Sequence, residues 1–532
     1  MKREKGKEEK TETLFAASPF SFFASSSLDR ALVGCLFLLA LSAPHSIAVS
    51  QGAWLLSMLL WVVRLFVRPR PPLWRTPVDV ALLGFFTLTF LTALTSYDPE
   101  VSIGKLRAAS LFTVVYVVAE NVRGRRVLRG LALALVASCA LNVVFTFGAL
   151  AVGRGVKARE LRQDGPLYAA GLREGDTVLA AEGLPVETPE ELERAIGDAS
   201  RAGQVTMRWE SNKPACVSTE REACVRAYRS EALLPLLVVR DTALAGGTAA
   251  ERLGLARWTK GRDERARGFF GHYTTYAEAL QLIASLALGM FVALGRKWSM
   301  KGVLLGAALA GMCGALLLTV TRASWLGLLL SALTIAAVGA RRRTLLIVAA
   351  IALPLAVAGL FVLQQKRRVG FLDAKDGSTA WRLMVYREAL DLLVREPRHA
   401  AVGVGMDSIK RHYREWGLFD KGRQQWSHLH STPLQLAVER GLLTLFAWLA
   451  LVFLYARMLW RMARTGSGVD WLTRGLALGA LGGLVGFLTS GLVHYNWGDS
   501  EVIMIFYFVM GLALAAERPA RAEEREGAVR EG

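Results

Sequence analysis

The stretch GLALALVASCALNVVFTFGALAV, residues 130–152, contains no Asp, Glu, Lys or Arg and is long enough to cross a bilayer as a helix. Similar apolar runs stand at 31–42 (ALVGCLFLLALS) and 345–363 (LLIVAAIALPLAVAGLFVL). Helices that are apolar all round are buried in lipid or in a very large core. The sequence therefore predicts an all-α polytopic membrane protein.

The composition agrees with this class. Of the 532 residues, 53% are hydrophobic and 20% are charged, which is below the charged fraction of about a quarter that is usual in soluble domains. The formal net charge of +19 would suggest nucleic acid in a soluble chain. In a membrane protein, however, Lys and Arg collect on cytoplasmic loops, and no basic helix with interleaved aromatic residues stands out. We expect no nucleic-acid partner.

We expect about twelve transmembrane helices, near 31–48, 52–67, 78–96, 104–121, 129–152, 274–295, 301–319, 323–340, 344–363, 438–456, 474–493 and 502–516. With a cytoplasmic N-terminus, every inside loop is basic, as in RLFVRPRPPLWR (64–75), and outside turns such as SYDPEVS (96–102) are acidic or neutral. Because basic loops stay in the cytoplasm, both termini are predicted there.

The sequence thus predicts seven parts along the chain. They are a cytoplasmic tail 1–30, spans one to five in 31–152, a periplasmic insert 153–250, spans six to nine in 251–363, a large periplasmic catalytic loop 364–437, spans ten to twelve in 438–516 and a cytoplasmic tail 517–532.

The predicted insert has a soluble composition and a clear order of elements. AAGLREGD (169–176) predicts a short helix and a turn, TVLAAEGLPV (177–186) two strands that turn at Gly183, and QVTMRW (204–209) a further strand. TPEELERAIGDA (188–199) predicts a helix with a Thr188 cap and Pro189 in its first turn.

These elements resemble a bacterial PDZ domain over about 155–240, which implies a small α+β fold. PDZ domains bind extended peptides by strand addition. The stretch GRGVKARELRQDG (153–165) departs from the carboxylate-binding loop of that family. Two alternatives remain: the insert binds a periplasmic peptide or protein, or it is a structural or docking insert.

Cysteine usage points to one disulfide and to no metal site. Cys216 and Cys224 are close enough in ACVSTEREAC (215–224) to close a hairpin, and an oxidising periplasm favours the bond over two free thiols. Three further cysteines lie in predicted spans and are expected to pack there: Cys35, Cys139 and Cys313. No Cys/His spacing matches a zinc site, so we expect no metal and no cofactor.

Arginines gather at the predicted outer face. The candidates for binding an anionic ligand are Arg322, Arg382 and Arg387, followed by Arg265 and Arg267. Guanidinium groups bind phosphate oxygens in pairs, which suits a diphosphate. Arg322 follows a long apolar run, where a charge is costly and often functional; snorkelling to the interface is the alternative.

Histidines border the predicted spans at the same face. WSHLHSTPLQLAVERGLL (426–443) places His428 and His430 at the entrance of an apolar helix, and His272 and His494 each border another span. Imidazole takes up a proton near neutral pH and is a common general base. The pair with arginines nearby favours a functional role, whereas His399 and His412 lie among charges and are expected at the surface.

HSTPLQLAVERG (430–441) resembles the signature of the O-antigen ligase and polymerase superfamily, in which His is followed by Asn, Ser or Gln, then by nine intervening residues and then by Gly. His430, Ser431 and Gly441 fit this spacing, and Thr444 stands where the signature has a second glycine. Further blocks resemble the family in order over about 265–516: RGFFGHYTTYAEAL (267–280), LTVTRASWLGL (318–328), WRLMVYREALDLLVREP (381–397), VGVGMDSIKRHY (402–413) and GLVHYNWGDSEVIMIFYFVMGLAL (491–514).

The resemblance implies an inverting, GT-C-like glycosyltransferase of the bacterial inner membrane. It would move an oligosaccharide from undecaprenyl diphosphate to a glycan acceptor, the lipid A core in a ligase, with His430 as base and the arginines holding the diphosphate. His428 and His272 are weaker candidates that would orient substrate. A polymerase of the same superfamily is the main alternative. A lipid-linked glycan transporter is less favoured, since the spans carry few charges and show no related halves. A non-catalytic scaffold that displays the PDZ-like insert to periplasmic partners is a further, less favoured alternative.

Overall fold

The computed structural model describes residues 19–71, 75–198, 204–210, 231–235, 247–262, 265–339, 377–464 and 470–531. The chain divides into two compact units. We call residues 1–143, 267–354 and 382–532 the helical unit, and residues 144–266 and 355–381 the sheet unit.

Long apolar helices dominate the chain. Within the described residues, nine helices are long and apolar enough to cross a membrane: Ile47–Phe66, Pro99–Asn121, Arg125–Val152, Tyr273–Ala293, Met300–Leu318, Arg322–Gly339, Thr432–Arg464, Trp471–Gly491 and Ser500–Arg518. Two further helices, Pro19–Ser42 and the shorter Asp79–Leu94, coincide with predicted spans. The protein is thus a polytopic membrane protein, as predicted; the predicted span 344–363 lies outside the described residues.

Glycines let the central helices approach closely. Helix Tyr273–Ala293 packs against Trp471–Gly491 so tightly that a Cβ on Gly289 would overlap the backbone of Gly479. Without a hydrophobic driving force in lipid, helix association relies on such close packing of small residues.

Helix Thr432–Arg464 is broken at Gly441, whose φ of 77° and ψ of 166° are non-helical. The break leaves the carbonyl oxygens of Val438 and Glu439 to accept hydrogen bonds from the backbone of Val404 and Gly405, both at 2.9 Å. These two hydrogen bonds hold Val404 and Gly405, in the segment before the helix, against the kinked part of the helix. The helix begins at Thr432, earlier than the predicted 438, and the segment before it contains helices Gly377–Arg395, Pro397–Val402 and Ile409–His412.

The sheet unit contains a six-stranded antiparallel sheet. Its strands, in spatial order, are Glu231–Pro235, Gln204–Glu210, Thr177–Ala181, Arg154–Leu161 and Leu255–Gly261, with Leu184–Pro185 paired to Thr177–Ala181. Its helices are Pro166–Ala169, Pro189–Asp198 and Ala249–Arg252. The helices pack on the sheet through a hydrophobic core, which includes Val156, Val178, Leu192 and Met207.

The predicted strands within 177–186 and 204–209 and the predicted helix within 188–199 are confirmed, whereas the short helix predicted within 169–176 lies earlier, at Pro166–Ala169. The two strands turn at Gly183, where φ is +75°, and the backbone N–H of Glu191 donates to the Thr188 hydroxyl at 3.3 Å, as an N-cap requires. Strand Leu255–Gly261 was not predicted. Cys216 and Cys224 lie outside the described residues, so their disulfide stays a prediction.

Candidate functional site

The two histidines of the HLH stretch lie in the loop that leads into helix Thr432–Arg464. Their ring centroids are 4.2 Å apart. His430 has φ of +53°, in the left-handed region that non-glycine residues rarely adopt. The Tyr386 hydroxyl donates to the His430 carbonyl at 2.9 Å, and the Leu429 N–H donates to Oε1 of Gln435 at 2.6 Å. Strained backbone of this kind is often found at functional sites, and here these contacts hold it.

Both imidazoles are kept neutral by their surroundings. Burial, followed by the charges of His428 and Arg382, lowers the pKa of His430 to about 2. Burial also lowers the pKa of His428 to about 4, with contributions from His494 and Lys410. His272 contributes to both shifts. The loop histidines therefore share one electrostatic environment with a guanidinium and two further imidazoles.

Arg382 reaches this environment from helix Gly377–Arg395. Tyr386 lies one turn further along the same helix, and burial raises its pKa to about 12 against the opposing charge of Arg382. Arg387 is exposed, and its five-residue separation puts it about 140° around the helix from Arg382. Of these two predicted arginines, only Arg382 shifts the pKa of His430.

The remaining predicted residues occupy helix ends or loops. Arg322 is the first residue of its helix, which runs antiparallel to Trp471–Gly491: the Ser331 hydroxyl donates to the Gly482 carbonyl, and a Cβ on Gly327 would contact Gly486. The Arg322 end therefore lies at the same end of the helical unit as Gly491.

His272 caps helix Tyr273–Ala293, with its Nδ1 accepting from the Thr274 N–H at 3.2 Å. Arg267 lies in the loop before this helix, in the helical unit. Arg265 belongs to the sheet unit.

One acidic residue at this end of the helical unit was not among the residues predicted from the sequence. Glu278, one turn into helix Tyr273–Ala293, is 2% exposed, and its Oε1 lies 3.0 Å from Nδ1 of His494. A buried carboxylate in an apolar helix was visible in the sequence as a signal, since intramembrane charges are usually functional. Its partner was not visible, because the two residues lie far apart in the chain.

Asp407 joins two lysines beside the histidines. Its Oδ2 lies 2.7 Å from Nζ of Lys105 and 2.9 Å from Nζ of Lys410. Burial alone would raise the pKa of Asp407, but these hydrogen bonds and charges outweigh it and lower the pKa. The backbone N–H of Asp407 donates to Glu439 at 2.9 Å, which connects the lysines to the kinked helix.

The expected surface position of His399 is wrong. The side chain is 2% exposed, its Nε2 lies 2.9 Å from the Tyr97 hydroxyl and its Nδ1 lies 2.8 Å from the Leu392 carbonyl. Charged neighbours in sequence misled the interpretation, because the ring turns inward between helices.

The fold and the cluster define a polytopic membrane protein with imidazole and guanidinium groups gathered at the ends of its helices. Residues 307–449 match the family model described as O-antigen ligase. This match agrees with the resemblance that the motifs predicted, and it supports a ligase- or polymerase-type glycosyltransferase that handles a lipid-linked glycan and a glycan acceptor. Comparison with curated proteins gives no match. The matched segment contains five of the site candidates: Arg322, Arg382, Arg387, His428 and His430.

Proposed function

We propose that this protein transfers an oligosaccharide from undecaprenyl diphosphate to a hydroxyl of the lipid A core, at the periplasmic face of the bacterial inner membrane. The observation that carries the proposal is the electrostatic coupling of His430 to Arg382 within the segment that matches O-antigen ligase. A base within the electrostatic influence of a cation suits a reaction in which a hydroxyl attacks and a diphosphate leaves.

In the proposed reaction, the acceptor oxygen forms a bond to the anomeric carbon while the bond from that carbon to the diphosphate oxygen breaks. His430 takes the hydroxyl proton, and undecaprenyl diphosphate leaves with the bonding electron pair. One displacement of this kind inverts the anomeric centre. Arg382 and Arg322 would hold the leaving diphosphate, with Arg387, Arg267 and Arg265 as further candidates. His428 and His272 would orient substrate.

The low proton affinity of His430 in the free protein fits this sequence of events. The positive charge of Arg382 is one cause of the low pKa of His430. A bound diphosphate would offset that charge, and an opposite charge nearby favours the protonated imidazole. The donor would thus raise the proton affinity of the neutral His430 ring, so that the ring can take the hydroxyl proton as the acceptor attacks.

The proposed orientation places both termini in the cytoplasm and the insert 153–250 in the periplasm, as the basic inside loops indicate.

We propose a PDZ-like role for the insert, in binding a periplasmic peptide or protein or in docking. Among the described strands, a peptide that adds as a strand would need an outer edge of the sheet, at Leu255–Gly261 or Glu231–Pro235, because the inner edges are paired. Removing residues 155–250 should leave residual transfer; complete loss in a folded protein would favour the scaffold alternative.

The test is transfer by purified protein with a lipid-linked donor and a core acceptor. His430→Ala should abolish transfer, whereas His412→Ala should retain it, because His412 pairs with Asp98 and Glu415. If folded His430→Ala turns over like wild type, the base assignment is wrong. Sugar on the core supports the ligase; longer lipid-linked polymer supports the polymerase.

A further inference from the structure

Lys105 and Lys410, which we call the lysine pair, meet at the carboxylate of Asp407. Oδ2 of Asp407 lies 2.7 Å from Nζ of Lys105 and 2.9 Å from Nζ of Lys410, so the two ammonium groups are neighbours although the residues are far apart in the chain. The lysine side chains are 46% and 40% exposed, whereas that of Asp407 is 18% exposed. Two cations around one anion leave a net positive charge that a ligand can reach.

Hydrogen bonds hold Asp407 in place between the two lysines. Its φ is +60°, in the left-handed region that non-glycine residues rarely adopt. Its backbone N–H donates to Oε1 of Glu439 at 2.9 Å, and the buried Ser102 hydroxyl donates to the preceding carbonyl at 2.9 Å. Ser102 and Lys105 lie one turn apart on one helix, so the contact that fixes the loop also fixes the lysine beside it. The two ammonium groups are therefore preorganised.

Each ammonium has hydrogen-bonding capacity beyond its bond to Asp407. An ammonium has three N–H donors, and the carboxylate oxygen takes one of them. The acid seven residues before Lys105, Asp98, contacts His412 at 2.9 Å and Arg411 at 3.5 Å, so other groups balance its charge. A phosphate or carboxylate has several acceptor oxygens and a negative charge, and it could accept from both ammonium groups at once.

The lysine pair and Arg382 act on different imidazoles. Burial is the main cause of the low pKa of both His428 and His430, and among the charges Lys410 contributes at His428 whereas Arg382 contributes at His430. In the proposed reaction Arg382 holds the leaving diphosphate beside His430. The lysine pair is then a second cationic group in the same site, suited to an anion other than the leaving group.

We propose that Lys105 and Lys410 bind an anionic substituent, a phosphate or a carboxylate, of the acceptor glycan, and that Asp407 is the residue that positions their ammonium groups. The proposal rests on the proposed function and adds an acceptor subsite to it. The charged group of the acceptor is held at the lysine pair while its attacking hydroxyl gives its proton to His430.

The test measures KM for the core acceptor and for the lipid-linked donor separately. Lys105→Met and Lys410→Met should each raise acceptor KM about three- to fivefold, as loss of a contact between partly exposed charges predicts, with donor KM unchanged. Lys410→Arg should stay within about twofold of wild type, because guanidinium keeps the charge. Lys260→Met is the matched control, since Lys260 is also 40% exposed and bound to a carboxylate; its acceptor KM should equal that of wild type.

Treated acceptors identify the anionic group. Phosphatase removes phosphates from the core acceptor, and chemical reduction converts its carboxylates into alcohols. The treatment that removes the bound group should raise the acceptor KM of wild type to that of Lys410→Met, and the difference between the two proteins should then disappear. A purely structural role of the lysines would leave that difference unchanged with every acceptor.

The possible outcomes are distinct. Wild-type acceptor KM in both lysine-to-methionine variants, together with loss of transfer in His430→Ala, overturns the lysine subsite and leaves the proposed function standing. A rise in donor KM alone, or a rise in acceptor KM that persists with acceptor treated both ways, also overturns the subsite. Full transfer by His430→Ala instead contradicts the proposed base. Should Lys410→Met not fold, Lys105→Met and Lys105→Arg decide, and equal acceptor KM in both overturns the subsite.

Discussion

The hydroxyl of Tyr386 lies 2.9 Å from the carbonyl oxygen of His430 and 3.2 Å from that of Leu492. One phenol on helix Gly377–Arg395 thus joins the loop before one candidate membrane span to the loop after another. The carbonyl of His430 belongs to a residue with positive φ, so this contact helps to maintain a conformation that the free chain would leave.

Tyr386→Phe should therefore lower kcat without unfolding the protein. Loss of the hydroxyl frees the two loops to shift, and a displacement of about 1 Å at a reacting group can lower the rate about 100-fold; we expect a loss of at least about tenfold. Single-turnover rates would measure it. Tyr413→Phe, which removes only a contact with Arg414, is the matched control. Wild-type kcat in Tyr386→Phe would contradict this positioning role.

Arg382→Ala should weaken donor binding more than Arg387→Ala does. Both arginines lie on one helix, but Arg382 is coupled to His430 and Arg387 is exposed on a different face. Loss of a charge-assisted contact corresponds to a rise in donor Kd of about 10- to 100-fold. Titration with the lipid-linked donor measures both variants. Equal effects would show that the whole helix, and not the Arg382 face, contacts the diphosphate.

The depressed pKa values predict loss of stability in acid. Folded His430 and His428 have pKa values of about 2 and about 4, below the value of about 6.5 expected in an unfolded chain. As the pH falls below about 6.5, the unfolded state takes up protons that the folded state does not, so stability falls towards those lower values. The unfolding temperature should decrease from about pH 7 to about pH 5, and it should decrease less in His428→Gln/His430→Gln. An equal decrease in wild type and variant would exclude these two rings as the cause.

Gly441→Ala should destabilise the protein by at least about 1–3 kcal/mol, since its φ of 77° and ψ of 166° are nearly restricted to glycine. An added Cβ would also overlap the carbonyl of Ala401. Thermal unfolding in detergent measures the change. Gly84→Ala is the control: no atom lies within 4 Å of its new Cβ, and helix propensity favours Ala by about 1 kcal/mol. A Gly441→Ala protein as stable as wild type would mean that the kink is dispensable.

Much of the candidate site could be read from local sequence. His428 and His430 stand in one short motif, and Arg382 lies in a block that resembles the same family. The separation of Arg382 from Arg387 depends on which face of their helix packs inward, and the inward turn of His399 depends on Tyr97, far earlier in the chain. Polar residues near charges look alike in sequence whether they point to solvent or into the protein.

By itself the sequence determined the membrane class, the approximate positions of most spans within the described residues and the turn at Gly183, because apolar length and turn chemistry are properties of neighbouring residues. Only the tertiary structure decided that Glu278 meets His494 and that the backbone of Val404 and Gly405 completes the kink before Gly441. These contacts join residues far apart in the chain. They depend on how closely the helices pack, which no local pattern encodes.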